Sequence, residues 1–283
     1  MVPTSRRAAG SSGLVVRQKV RPQRFRLDAT DRLSHLKAMT ASPLPLPSTL
    51  GRLARLVRDE IGLVVALVVI AGGTLAFLRL ADIVVDGETE AFDRALLLFM
   101  RDPANPGLAP GPSWLPGIMR DITALGGLAV LSLLVVFAVV YLLLAGKRAA
   151  ALFVLVSVIG GTALSHGLKI VFDRPRPNLI PGAPIELTAS FPSGHAMISA
   201  VAYLTLGALL TRIEAPRRVH AFFIGIAVVM TVLIGISRIY LGVHWPTDVL
   251  AGWCLGAAWA LLCWIVALWL QRRGQIEPRP GRE

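Results

Sequence analysis

Apolar residues gather into six long runs, near 61–78, 122–146, 149–168, 196–211, 221–236 and 249–270, separated by short polar or basic joints. The first is eighteen residues without a charge, long enough to cross a bilayer as a helix. The pattern predicts an all-α fold, a six-helix transmembrane bundle. Charged joints then orient it. Arg52, Arg55 and Arg58 precede the first run, and Lys147 with Arg148 separates the second from the third. Arg212, Arg217 and Arg218 separate the fourth from the fifth, and Arg272 and Arg273 follow the sixth. These groups fall on one side of the predicted bundle, which the positive-inside rule makes cytoplasmic, together with both termini. The other joints lie outside. The longest, 82–121, carries Asp82, Asp86, Glu88, Glu90, Asp93 and Asp102 among prolines and glycines. Within it Phe92, Ala95, Leu96 and Phe99 recur at helical spacing, although Leu97, Leu98 and Met100 blur the stripe. A short extracytoplasmic interfacial helix is expected there, as a plain connector in preference to a gate roofing a site.

Composition agrees with a membrane protein. Of 283 residues, 54% are hydrophobic and 16% charged, with a mean hydropathy of +0.65, too apolar for an ordinary soluble domain. The net charge of +12 invites comparison with nucleic-acid binders. The basic residues, however, lie in the N-terminal tail and beside the apolar runs, without an aromatic-studded groove, so no nucleic-acid partner is implied. Residues 1–58 read as a basic, disordered cytoplasmic tail, 59–271 as the membrane domain and 272–283 as a cytoplasmic C-terminal tail. The Arg-rich opening also has the character of an organellar transit peptide, and Met39 offers a second start. A bacterial inner (plasma) membrane is the expected location. Cys254 and Cys263, nine residues apart on one predicted helix, fall on opposite faces roughly 13 Å apart and cannot pair.

The outer joints carry the chemistry. Residues 237–248 place Ser237, Arg238, His244 and Asp248 between two apolar runs. Trp245-Pro246 predicts a helix starting at Pro246, since proline disfavours helix before it and suits the first helical position. Asp248 then falls in the first turn, within reach of a His244 ring nitrogen. Such a pair either caps the helix or fixes the tautomer of a nucleophile or base, and sequence leaves both readings open. Pro192-Ser193-Gly194-His195 opens another run, with Ser193 and Gly194 at a helix N-terminus whose free N–H groups suit an anion. Lys169 and Arg176-Pro177 close the run before it. Three fixed cations, neutral donors, two histidines and an aspartate on one membrane face suit a phosphoryl group. His166, one turn before Lys169, reads as structural or supporting, and His35 and His220 lie on the wrong side.

K-x6-R-P, P-S-G-H and S-R-x5-H-x3-D, filled in order by these residues, resemble the three signature motifs of the type-2 phosphatidic acid phosphatase superfamily. The resemblance covers about the second half of the chain. It implies that His244 is a nucleophile forming phosphohistidine, Asp248 its orienting acid and His195 the general acid. It implies that Lys169, Arg176, Ser193, Gly194 and Arg238 bind phosphate, with no metal and no cofactor. The expected activity is therefore hydrolysis of a membrane lipid phosphate or pyrophosphate, such as undecaprenyl pyrophosphate, phosphatidate or phosphatidylglycerophosphate. Transfer to an acceptor other than water remains an alternative. A vanadate-dependent oxidase fits six spans poorly, and a scaffold or transporter has no use for the full His, His, Asp and cation set. Oligomeric state is not readable.

Overall fold

The computed structural model describes residues 48–103, 105, 107–109, 111–181, 186–211 and 216–273. It divides into two units, Met1–Arg55 and Leu56–Glu283. Only the helical residues 48–55 of the first are described, so the expected tail lies largely outside the described residues; its last part, from Ser48, is helical. Among the described residues there are eight helices and no strand: α1 (Ser48–Val85), α2 (Glu90–Phe99), α3 (Leu115–Ala124), α4 (Leu128–Leu144), α5 (Arg148–Phe172), α6 (Gly194–Leu210), α7 (Arg217–Tyr240) and α8 (Pro246–Arg272).

Four stretches are long and apolar enough to span a bilayer: Ile61–Val85, Arg148–Phe172, Arg217–Tyr240 and Pro246–Gln271. Two expected runs behave differently. The run at 122–146 is broken, because α3 and α4 meet at a 44° bend and together make at most a fifth span. The bend falls at Gly126, where a Cβ would collide with Ile234 Cγ2 of α7, so no other residue lets the chain pass so close. The run at 196–211 gives α6, only 17 residues long. Pro192 cannot lie inside a helix without losing a hydrogen bond, which holds the start of α6 back to Gly194.

Large apolar side chains stay exposed along the outer faces, including Val68, Leu75, Phe137, Tyr141, Ile159 and Phe222. Faces of this extent belong in hydrocarbon, and the protein is an integral membrane protein. The interior is built on small residues. A Cβ on Gly252 would lie 2.8 Å from Ser193 O, and one on Gly256 2.6 Å from Met197 O. This Gly-x-x-x-Gly pair therefore brings the α8 backbone against α6, the close approach that membrane helices use in place of a hydrophobic driving force. Ser193 N–H donates to Asp248 O at 3.0 Å across that contact, tying two of the motifs together. A third joins through Phe191, whose ring stacks on Phe77 of α1 (centroids 5.8 Å apart) and meets Phe172 of α5 edge-on at 5.0 Å.

Helix α2 is oriented by two faces. Leu97 is fully buried against Ala196, Ile239 and Val249, and Asp93 is fully buried beside it. Phe92 and Phe99, from the stripe noted in the sequence, are 54% and 84% exposed and point away from the bundle.

Gly256→Leu should force α6 and α8 apart. Overpacking of this kind costs about 1–3 kcal/mol. Thermal unfolding in detergent should register the loss, and any catalytic activity should fall further than stability, because the Ser193–Asp248 contact opens.

Candidate active site

The geometry begins at Asp248, which is fully buried in the first turn of α8. Its Oδ2 accepts the Trp245 N–H at 2.9 Å and the Ser190 hydroxyl, and lies 3.3 Å from His244 Nδ1. Its Oδ1 accepts Arg174 Nη1 at 2.6 Å. The two readings left open by the sequence therefore coincide: the carboxylate closes the helix start and also holds the His244 ring. With Nδ1 turned to the carboxylate, Nε2 faces the other way. It stands 3.1 Å from Arg176 Nη1, so a guanidinium N–H points at the lone pair.

His244 is 1% exposed. Burial pushes its pKa down to about 4, helped by the Arg176 and Arg238 charges and opposed by the Asp248 hydrogen bond and charge. The ring is thus neutral near pH 7. A neutral imidazole with one nitrogen tied and the other beside cations has a geometry in which it can act as a nucleophile or a base toward a group bearing negative oxygens.

The cations are held in place by protein acceptors. Arg176 donates from Nε to Thr188 O at 2.7 Å, from Nη1 to Val243 O at 2.8 Å and from Nη2 to Thr188 Oγ1 at 3.0 Å. Lys169 Nζ donates to Ala189 O and to Thr188 Oγ1 at 3.4 Å. Arg238, buried at the end of α7, donates from Nη2 to Glu186 Oε1 at 2.6 Å and from Nη1 to Thr123 Oγ1 at 3.3 Å. Burial raises the Glu186 pKa, but the hydrogen bond and charge of Arg238, with the Arg176 charge, outweigh it and keep this carboxyl below its usual range.

One cavity of about 550 Å³ gathers these groups. Lys169, Arg176, Gly194, His195 and His244 line it, with Glu186, Thr188, Ser165 and His166. Ser193, Arg238 and Asp248 are not in the lining and stand behind it; the Ser193 hydroxyl is buried without a hydrogen-bond partner, and its N–H is committed to Asp248 O. The first-turn N–H groups of Gly194 and His195 have no acceptor within their helix and can donate to an anion there. His166 Nδ1 is 2.9 Å from Thr162 O, one turn back in its own helix. From the histidines the cavity continues between α4 and α5 as an apolar groove walled by Leu128, Leu131, Val135, Val136, Val158 and Ile159. Among the described residues no three His, Cys, Asp or Glu side chains gather as metal ligands would, and Lys169 and Arg176 would repel a divalent ion from this cavity.

The PAP2 superfamily profile matches residues 150–272, which hold all three motifs. Phosphatidylglycerophosphatase B of Bacillus subtilis (strain 168) is 35% identical over 173 residues, covering 61% of this chain and 79% of that protein. The chain belongs to the PAP2 superfamily. The crystal structure of the transmembrane PAP2-type phosphatidylglycerolphosphate phosphatase from Bacillus subtilis superposes with a TM-score of 0.62 at 31% identity, covering 72% of this chain and 98% of that one. An undecaprenyl-diphosphatase of Sulfolobus acidocaldarius is 43% identical over 68 residues, 24% of this chain and 29% of that protein.

Several residues of this PAP2 site escaped the sequence reading. Arg174 lies inside the first motif, between Lys169 and Arg176, and its doubled Arg-Pro was the available signal. Ser190 and Glu186 sit in a loop with no periodicity to mark them. Asp93 is 155 positions before Asp248, and nothing local distinguishes it from the acids around it.

Nitrogen NMR of labelled histidine in nanodiscs should find His244 neutral from pH 8 down to about pH 5, with its titration near 4. Asp248→Asn removes the charge that holds this pKa up, so the midpoint should fall further. A midpoint at the 6.5 of an ordinary histidine would contradict the burial and the cations described above.

Proposed function

We propose that this PAP2 protein is a lipid-phosphate phosphatase, cleaving a lipid phosphomonoester or the terminal phosphate of a lipid pyrophosphate at the outer leaflet without a metal ion. The observation that carries this reading is the His244 ring, with Nδ1 on Asp248 and Nε2 beside Arg176, in a polar cavity that runs into an apolar groove. A phosphoryl headgroup fits the first part and a hydrocarbon chain the second. The names of the Bacillus subtilis and Sulfolobus acidocaldarius relatives favour phosphatidylglycerophosphate or undecaprenyl pyrophosphate among such lipids. The apolar runs are read as six spans, with α3–α4 counted as one and α6 as another, both termini cytoplasmic and α2 at the outer interface. The tails at 1–58 and 272–283 flank that domain.

His244 Nε2 attacks phosphorus, the bond from phosphorus to the lipid oxygen breaks, and His195 gives that oxygen its proton. Asp248 stabilises the positive charge that develops on the ring. Lys169, Arg176 and the N–H of Gly194 stabilise the phosphoryl oxygens from the cavity wall, Arg238 adds its charge from behind it, and the Ser193 hydroxyl joins them by turning into the cavity; most of the acceleration arises there in such transfers. His195 then takes a proton from water, which cleaves the phosphorus–nitrogen bond and releases phosphate and neutral His244. Transfer to an acceptor other than water would use the same first step.

Orientation is tested by a reporter active only outside the cytoplasm. Fusions after Asp86 or Thr188 should be active, and fusions after Arg148 or Arg217 silent; the reverse pattern would put the site in the cytoplasm.

The two histidines should separate cleanly. His244→Ala should abolish turnover of every substrate and all phosphoenzyme. His195→Ala removes a proton donor, worth about 10²–10⁴-fold when the leaving oxygen is a poor alkoxide and least when it leaves as a stable anion. The His195→Ala protein should thus be nearly inactive on lipid yet give a burst of nitrophenol from nitrophenyl phosphate and accumulate acid-labile label on His244. Equal loss of the burst in both folded variants would refute the division of roles.

A further inference from the structure

Helix α2 sends one acid into the bundle. Glu88 and Glu90 beside it are exposed, whereas Asp93 is fully buried and heavily bonded. Its Oδ1 accepts the Thr247 N–H at 2.9 Å, and its Oδ2 accepts the Thr247 hydroxyl at 2.6 Å and Arg174 Nη2 at 2.7 Å. A group that accepts from three donors in this way is serving as a carboxylate. Arg174 spans the gap to the site. Its Nη1 reaches Asp248 Oδ1 at 2.6 Å and Thr247 Oγ1 at 2.9 Å, its Nη2 also reaches Thr89 Oγ1 at 3.2 Å, and its guanidinium lies over the Trp245 ring, 5.5 Å from the centroid.

The sequence of contacts is therefore Asp93, Arg174, Asp248, His244, with both carboxylates fully buried and Arg174 13% exposed. Charge makes the order meaningful. Arg174 on Asp248 alone would leave a neutral pair facing His244, and an imidazole that becomes cationic as Nε2 bonds phosphorus would find no net negative charge behind it. Lys169, Arg176 and Arg238 lie on the phosphate side and oppose that cationic charge. Asp93 on the far edge of Arg174 leaves the buried trio with one net negative charge, and away from water that charge is screened from the ring far less than it would be at the surface. The same carboxylate holds the Thr247 N–H, fixing the first turn of α8 that carries Asp248.

We propose that Asp93 is a positioning residue for phosphoryl transfer: through Arg174 it holds Asp248 on His244 and restores the negative charge that Arg174 by itself would cancel. The proposal rests on the reading of His244 as nucleophile. It makes α2 part of the machinery instead of a connector.

The test compares Asp93→Asn, the double variant D93N/R174Q and His244→Ala with the wild-type chain in nanodiscs, on a lipid phosphate and on nitrophenyl phosphate. D93N keeps the shape and one acceptor oxygen, on the Thr247 N–H, but removes the charge and turns an N–H2 toward Arg174, so kcat and the rate of phosphohistidine formation should fall about tenfold or more on both substrates with KM unchanged. The double variant removes the cation together with its balancing anion, while the amide that replaces the guanidinium can still donate to Asp248. It should therefore be faster than D93N by about threefold or more, and the His244 midpoint, which D93N should lower, should rise again; mere relief of the contact between the Asn amide and Arg174 would restore stability without moving that midpoint. Wild-type kcat in folded D93N, or a folded double variant as slow as D93N or slower, overturns the proposal. If D93N does not fold, an active double variant supports it and an inactive, folded one overturns it; if neither folds, Asp93 is an anchor of the fold and the proposal falls. Turnover remaining in His244→Ala would sink the nucleophile reading itself, whereas an inactive His244→Ala beside a wild-type-like D93N sinks only the role of Asp93.

Discussion

Everything at the motif-bearing end of this bundle is arranged around one buried carboxylate, that of Asp248. An ion removed from water loses several kcal/mol of solvation unless its oxygens are fully partnered. Four groups supply partners here: the Trp245 N–H, the Ser190 hydroxyl, the His244 ring and the Arg174 guanidinium. They come from the loop before α8 and from the segment between α5 and α6. Neither segment can settle without the other. The loop between α5 and α6 also carries Arg176 and the acceptors of Lys169, so satisfying Asp248 brings the cations to the histidine as a by-product. This coupling explains why residues so far apart in the chain form one cavity.

The cations show the complementary constraint. Like charges in a confined space repel, and each is held by fixed acceptors: Thr188 and Ala189 for Lys169, Thr188 and Val243 for Arg176, Glu186 and Thr123 for Arg238. A site so restrained needs little rearrangement when an oxyanion arrives, which is the condition under which charge stabilisation is most effective. The neutrality of His244 follows from the same crowding, since burial and two guanidinium charges outweigh the one carboxylate against it.

How much of this was legible in the sequence depends on the range of the interaction. The start of α8 at Pro246 and of α6 at Gly194 follow from proline and N-terminal chemistry within a few residues, and both were readable. The motif residues were readable as types in order, and their convergence followed from the alternation of basic joints. Long-range pairings were not. Arg174 and Asp93 meet 81 positions apart, and the apolar stripe on α2 drew attention to Phe92 and Phe99, which face away, instead of Asp93 and Leu97, which face in. Hydropathy also hid the bend between α3 and α4, because Gly126 and Gly127 count as apolar in a window that measures composition and not the space a side chain would need.

That hidden bend bears directly on the site. A Cβ on Gly126 would come within 3.6 Å of His195 Cδ2, and one on Gly127 within 3.8 Å of His195 Nε2, so the break in the helix lies against the second histidine. From there α4 departs at 44° to α3, and Gly126, Leu128, Leu131 and Val135 line the cavity as it leaves the histidines. A straight helix across 115–144 would carry its side chains past His195 along a single axis, with Ile234 of α7 blocking any residue larger than glycine at 126. The break that Ile234 imposes at Gly126 thus sets the chain in contact with the imidazole of His195 and redirects the wall behind it. In the proposed reaction these are one requirement: the proton donor must reach the oxygen that joins phosphate to lipid, and the lipid must leave that point through an apolar passage. A polar pocket closed on the hydrocarbon side would accept a soluble phosphate as readily, so in the proposed reaction the bend at Gly126 supplies what the motif residues alone do not, an apolar exit for the rest of the lipid.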